Sequence, residues 1–238
     1  YIYMTFNCSY SNLNSLTNII FPSLAQFPDG IINLICYGNK LKNLIGCPNT
    51  VTHIYCGDNM LDTLIGCSEN ATHIYCSNNN LSSFIGCPQT VTHMFYGNNR
   101  FSNFDNCSQN LIQIDCSYNN YYSLIGCPSK VELLYCSENK LKNLNGCPET
   151  VKILDCSGNI IQNFSGFPQY VINLSVNSNN IESFKDCPKY VTNLYCEYNK
   201  IKSLEWCPES VIYLYCNNNF IKNLQYCPPN IKYIDLQL

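Results

Sequence analysis

Charge is scarce in this chain. Asp, Glu, Lys and Arg make up 12% of its 238 residues, and the formal net charge is −3. No basic stripe is present, so the sequence offers nothing to a nucleic-acid backbone. Apolar residues never run on for more than a few positions, so no segment reads as a membrane-spanning helix. There are only 3 His and 1 Trp. No Ser/His/Asp spacing, H-E-x-x-H or G-x-x-x-x-G-K-[ST] motif occurs. The expectation is a chain that is not an enzyme, uses no cofactor or metal, and has neither a nucleic-acid nor a membrane partner. The opening stretch YIYMTFNCSYSNL lacks a basic region followed by a continuous apolar one, so no secretory signal is predicted. Tyr1 is not an initiator residue, so the chain reads as trimmed or as a fragment.

What the chain does have is a period. From Ile31 a twenty-residue unit recurs as V-x-x-L-x-C-x-x-N-x-L-x-x-L-x-G-C-P-x-x, as in VELLYCSENKLKNLNGCPET from Val131. A fixed period this short means a solenoid whose coils lean only on their neighbours. The sequence divides into an irregular repeat with an insertion (1–30), ten tandem repeats (31–230) and a partial repeat (231–238). The insertion lies within Thr17–Gly30.

The chemistry of each column follows from its spacing. Columns one, four and six are apolar and flank outward positions, so Val51, Ile54 and Cys56 point in while His53 and Tyr55 point out of a short strand. Column nine is invariant: Asn39, Asn59, Asn79, Asn99, Asn119, Asn139, Asn159, Asn179, Asn199 and Asn219. An inward Asn can bond backbone groups where the chain leaves the strand, and stacked coils would turn these residues into a structural ladder. Columns eleven and fourteen are apolar. Pro at column eighteen removes a donor and biases its predecessor towards extended geometry. Column sixteen is usually Gly but holds Asn106, Asp186, Trp206 and Tyr226. Aromatic residues tolerate left-handed backbone poorly, so a positive φ is not expected throughout that column.

The pattern L-x-x-L-x-C-x-x-N-x-L-x-x-L resembles the leucine-rich repeat consensus over nearly the whole chain. The short period with Pro before the next strand resembles the subclass found in bacterial effectors. The Cys/Asn-rich flavour is similar to leucine-rich repeat proteins of giant DNA viruses. The resemblance implies a horseshoe solenoid with a parallel β-sheet on its concave face, extended or 3₁₀ segments on its convex face, little or no α-helix, and protein recognition by the concave sheet.

The 18 cysteines occupy columns six and seventeen. Packing explains them best, because Tyr96, Val176, Phe27 and Phe167 stand in for them. Disulfides between the columns would orphan Cys107, Cys156 and Cys187. Zinc would want clustered C-x-x-C spacing, which is absent. Reduced thiols in such number point to a reducing compartment, hence to a cytoplasm, that of a host if the source is viral.

Outward columns suggest where a partner binds. Column five carries Tyr55, Tyr75, Phe95, Tyr135, Tyr195 and Tyr215, and column three carries His53, His73 and His93 on consecutive strands. Interfaces enrich aromatic side chains, so these residues are candidate protein-binding anchors. The competing reading is a self-stacked ladder that only stiffens the sheet. The three His also permit a pH-sensitive contact; a metal site is poorly supported, since no carboxylate neighbours them in that column. Trp206 reads equally as a cover for the outer face or as a contact for a partner. The function expected is a protein-interaction scaffold. The alternatives are a structural component self-associating through its terminal coils and a targeting arm of a larger protein.

Overall fold

The computed structural model describes residues 4–17 and 27–236. The chain is a parallel β-solenoid, and no helix occurs among the described residues. It divides into two units at Asn119/Asn120. In the first, strands β1 (Met4–Asn7), β2 (Ile31–Ile35), β3 (His53–Tyr55), β4 (His73–Tyr75), β5 (His93–Phe95) and β6 (Gln113–Asp115) follow one another in the sheet. In the second, β7 (Leu133–Tyr135), β8 (Ile153–Asp155), β9 (Asn173–Ser175), β10 (Asn193–Tyr195), β11 (Tyr213–Tyr215) and β12 (Tyr233–Asp235) do the same. From β2 to β6 and from β7 to β12, pairing joins identical repeat columns: His53 to His73, Tyr55 to Tyr75, Asn193 to Tyr213 and Tyr195 to Tyr215. Most of the insertion expected within Thr17–Gly30 falls on residues 18–26, outside the described residues.

Each coil is held by one apolar spine. Val51, Ile54, Cys56, Leu61 and Leu64 are all fully buried, and their counterparts repeat this in nearly every coil. Burying each such side chain contributes about 1.5–3 kcal/mol. Where Tyr96 replaces the column-six Cys, a buried cluster absorbs its bulk, with Phe84 and Phe101 ring centroids at 5.5 and 4.7 Å. The spine ends at Leu224, whose side chain is half exposed.

The ninth-column Asn joins coil to coil. Asn59 Nδ2 donates to the carbonyls of Cys36 (3.0 Å), Cys56 (3.2 Å) and Gly57 (3.0 Å), while its Oδ1 accepts the Leu41 amide (3.0 Å). Asn79, Asn99 and Asn119 repeat this set in the first unit. So do Asn159, Asn179, Asn199 and Asn219 in the second. Asn39 bonds Cys8, Cys36 and Leu13, and Asn139 bonds Cys136, Ser137 and Tyr121.

The outer segment is extended, with turns in place of 3₁₀ helix. The column-seventeen amide returns to the column-fourteen carbonyl, as Cys47 to Leu44 at 2.9 Å, which makes column sixteen the third residue of a four-residue turn. That position wants a positive φ. The structure therefore corrects the expectation for column sixteen, where φ is positive throughout: +99° at Gly46, +62° at Asn106, +63° at Asp186, +68° at Trp206 and +64° at Tyr226. A side-chain oxygen at column thirteen caps the turn, as Asn43 Oδ1 accepts the Ile45 amide at 3.1 Å. A second left-handed corner stands at column eight, from Gly38 and Asp58 to Tyr198 and Asn218.

Candidate functional site

On the strand face of the first unit, parallel register converts sequence columns into stacks. Equivalent side chains recur once per rung, at a spacing of about 4.8 Å, close to the thickness of a stacked ring pair. Tyr55 and Tyr75 lie 4.5 Å apart with their planes 5° from parallel, and Tyr75 and Phe95 lie 4.7 Å apart at 6°. Beside them, His53–His73 and His73–His93 centroids are each 4.2 Å apart, at 12° and 8°. Each imidazole is oriented by its preceding Thr: Thr52, Thr72 and Thr92 hydroxyls meet the Nδ1 atoms at 2.9, 2.9 and 2.8 Å.

This geometry decides what the surface offers. Rings stacked face to face spend their faces on one another, so a partner meets ring edges, phenol hydroxyls and imidazole Nε2 atoms. Desolvation, then the neighbours His53 and His93, push the His73 pKa down to about 4. His93 is lowered by burial and by His53. Burial, then the neighbouring Tyr55 phenol, also raise the Tyr75 phenol.

A shallow cleft of about 290 Å³ runs along the stack, lined by Tyr37, Tyr55, Gly57, Asp58, Tyr75, Ser77 and Phe95. From its lining residue Asp58 a polar rim runs on along column eight: Asn78 Nδ2 donates to Asp58 Oδ1 at 2.8 Å and Asn98 Nδ2 to Asn78 Oδ1 at 2.7 Å. Tyr37 and this rim were not among the candidates drawn from sequence. The column-eight row Asp58, Asn78, Asn98 was nonetheless readable as outward and polar.

In the second unit the candidates separate. Tyr195 and Tyr215 stack at 4.6 Å, and Tyr215 meets Tyr233 at 5.2 Å with a 44° tilt. Tyr135 pairs with Asp155 of the next strand and so stands apart from that stack. The step down from Tyr135 to Asp155 and Ser175 leaves a notch of about 210 Å³, closed at its other end by Tyr195. Ser157 Oγ bonds two of the notch's lining residues, Asp155 Oδ1 at 2.6 Å and Ser175 Oγ at 2.8 Å. Among the described residues no group of three or more His, Cys, Asp and Glu is placed to hold a metal ion.

The cysteines form no disulfides in this structure. Column-six thiols such as Cys56 and Cys76 are fully buried, and desolvation raises their pKa well above the ordinary thiol value. Buried, neutral thiols are poor nucleophiles and poor metal ligands, which fits packing.

No protein-family model matches this sequence, and no curated protein matches it in sequence. The likeness lies in the fold. A structure of YopM from Yersinia enterocolitica matches with TM-score 0.58 and 19% identity, over 98% of this chain and 65% of that one. The functional domain of InlJ from Listeria monocytogenes, described as including a cysteine ladder, matches with TM-score 0.75 and 20% identity, over 98% of this chain and 53% of that one. This chain thus spans about half to two thirds of those two proteins. A chain from an octameric complex of Latrophilin 3, Unc5D and the leucine-rich repeats of FLRT2 matches with TM-score 0.66 and 15% identity, over 98% of this chain and 89% of that one. The fold is that of the leucine-rich repeat solenoids.

Proposed function

We propose that the chain is a non-catalytic recognition module that binds a protein through the strand face of its first unit. The observation that carries this reading is the paired stack, Tyr55–Tyr75–Phe95 beside His53–His73–His93. Stacking fixes these side chains before any partner arrives, so binding sacrifices little of their rotamer freedom. Hydroxyls, imidazole nitrogens and the Asp58–Asn78–Asn98 rim then supply directional bonds around an aromatic centre. Tyr195 and Tyr215 offer a second, smaller aromatic contact. Leucine-rich repeat solenoids that stand in protein complexes support the same reading by analogy of fold. Eighteen unbridged thiols suit a reducing compartment, so we place the module in a cytoplasm.

The test is a partner capture from native host lysate, repeated with Tyr75→Ala/Phe95→Ala. The double variant is expected to weaken partner affinity at least roughly tenfold, as aromatic anchors do. Its unfolding temperature should fall only modestly, because column five lies outside the apolar spine and the variant loses the two ring stacks, about 0.5–1.5 kcal/mol each. Full retention of affinity by the double variant would remove this face as the site.

A further inference from the structure

The second unit carries a feature that the recognition face does not use. Trp206 is the chain's only tryptophan, occupies a position that is Gly in most coils, and is held at φ +68° with 66% of its surface exposed. A left-handed indole is strained, and an exposed one recovers little of that strain through packing. Gly at this position would serve the turn better.

Around it lies a cleft of about 400 Å³, lined by Asp186, Cys187, Lys189, Trp206, Pro208, Glu209 and Ser210. The formal charge of the lining is net negative: two carboxylates, Asp186 and Glu209, against one ammonium, Lys189. None of the three makes an ion pair or side-chain hydrogen bond among the described residues; the ion pair of this region is Lys202–Glu182.

The indole face differs from the tyrosines of the strand face in being unspent. Trp206 stacks on no other described ring, whereas Tyr75 is covered on both sides. Two exposed rings of the same unit already carry a cation. Lys140 Nζ sits 5.3 Å from the Tyr122 ring centre, and Lys152 Nζ sits 5.3 Å from that of Tyr170. Trp attracts cations more strongly than Tyr, yet no described Lys or Arg covers Trp206.

We infer that the Trp206 cleft is a binding site for an arginine side chain of a partner protein. A guanidinium lies flat on the indole and directs its N–H fork at the Asp186 and Glu209 carboxylates. A saccharide could also stack on the indole, but this lining favours a cation, since its acceptors are carboxylates in excess of the single ammonium.

Because Trp206 is the only tryptophan, its emission reports on the site directly. The probes are N-acetyl-arginine amide, its neutral isostere N-acetyl-citrulline amide, and maltose, each titrated at low salt. The arginine probe is expected to give a saturable change, with affinity roughly tenfold above the citrulline probe and falling as salt rises. Asp186→Asn/Glu209→Gln should lower that affinity about tenfold at an unchanged unfolding temperature. Trp206→Gly should abolish binding by calorimetry while holding or raising the unfolding temperature. Equal response to citrulline, saturation by maltose but not arginine, saturation by none, or arginine binding that survives Trp206→Gly would each overturn the assignment.

Discussion

Asn159 Oδ1 accepts the main-chain amide of Leu141 from the preceding coil at 2.9 Å. The same side chain donates to the carbonyls of Cys136, Cys156 and Ser157 at 3.1, 3.0 and 3.2 Å. One amide therefore satisfies four backbone groups of two coils where the chain leaves the strand. Leaving buried partners unmade costs about 1–3 kcal/mol each. Asn159→Ala should lower stability by about 3 kcal/mol or more. Asn159→Asp should be comparably damaging, because a carboxylate cannot donate to three carbonyls. Urea unfolding followed by circular dichroism measures both; an unmoved midpoint in either would show that the ladder is ornamental.

The cysteine column predicts a different response to substitution. Cys76 is fully buried and its neutral thiol is favoured by desolvation. Val176 fills the same column without disturbing the spine. Cys76→Val should therefore change stability by less than about 1.5 kcal/mol. Cys76→Ser, of similar size but polar, should cost about 1–3 kcal/mol. Native protein at neutral pH should also label at column six only as fast as it unfolds, as a maleimide time course with and without urea would reveal. Rapid native labelling of Cys56 or Cys76 would contradict the packing assignment.

These contrasts show where the sequence was legible. The period, the strands and the apolar spine follow from residue type alone, because burial admits few chemistries at columns one, four, six and eleven. Left-handed corners are harder to read. Column eight is Gly38, Asp58, Tyr118, Glu138 and Ser178 in different coils, yet φ is positive in all of them. The neighbouring Asn clamp holds the corner whatever residue occupies it, so no single residue type marks it. Column sixteen misled for the related reason that Trp206 and Tyr226 accept a strained φ which the turn imposes. Column thirteen was readable: it is Asn, Ser or Thr in every full coil, the chemistry of a side-chain cap. The face-to-face geometry of Tyr55 and Tyr75 needed rung spacing as well as alternation, while the isolation of Tyr135 could have been read from Asp155 one period later.

The histidine stack predicts a pH dependence. His73 has a folded pKa of about 4, lowered by desolvation and by its stacked neighbours. In the unfolded chain it titrates near 6.5. The unfolded state then binds the proton first, so this group leaves stability undiminished above about pH 6.5, lowers it progressively as pH falls towards 4, and takes nothing further below that. The ring is half-buried, so remaining solvent screens the magnitude and leaves the sign. His73→Asn should flatten the slope of unfolding temperature between those two pH values. Proton NMR of the His73 ring should show its midpoint well below that of a free imidazole. A midpoint at or above the free value would refute the account, and partner binding through the same face should weaken over the same acidic range.

The last prediction separates two reasons for glycine at column sixteen. Gly66 has φ +87°, and a Cβ built there would run into the amide nitrogen and Cα of Ile45 in the preceding coil. The close approach accompanies the bond from the Leu44 amide to the Ile65 carbonyl at 2.8 Å. Asn106 shares the turn with φ +62° but already carries a Cβ, and Phe84 makes no equivalent bond to the Asp105 carbonyl. Asn106→Ala should therefore lose only the left-handed tolerance of Asn, about 1 kcal/mol. Gly66→Ala should lose that, the close approach and the coil-to-coil hydrogen bond together, about 2–4 kcal/mol. Gly66→Asn should remain damaging, since Asn relieves the φ and not the collision. Equal losses for Gly66→Ala and Asn106→Ala in chemical unfolding would mean that dihedral preference alone places glycine in this turn, and that the coils approach less closely than the backbone contact between Gly66 and Ile45 requires.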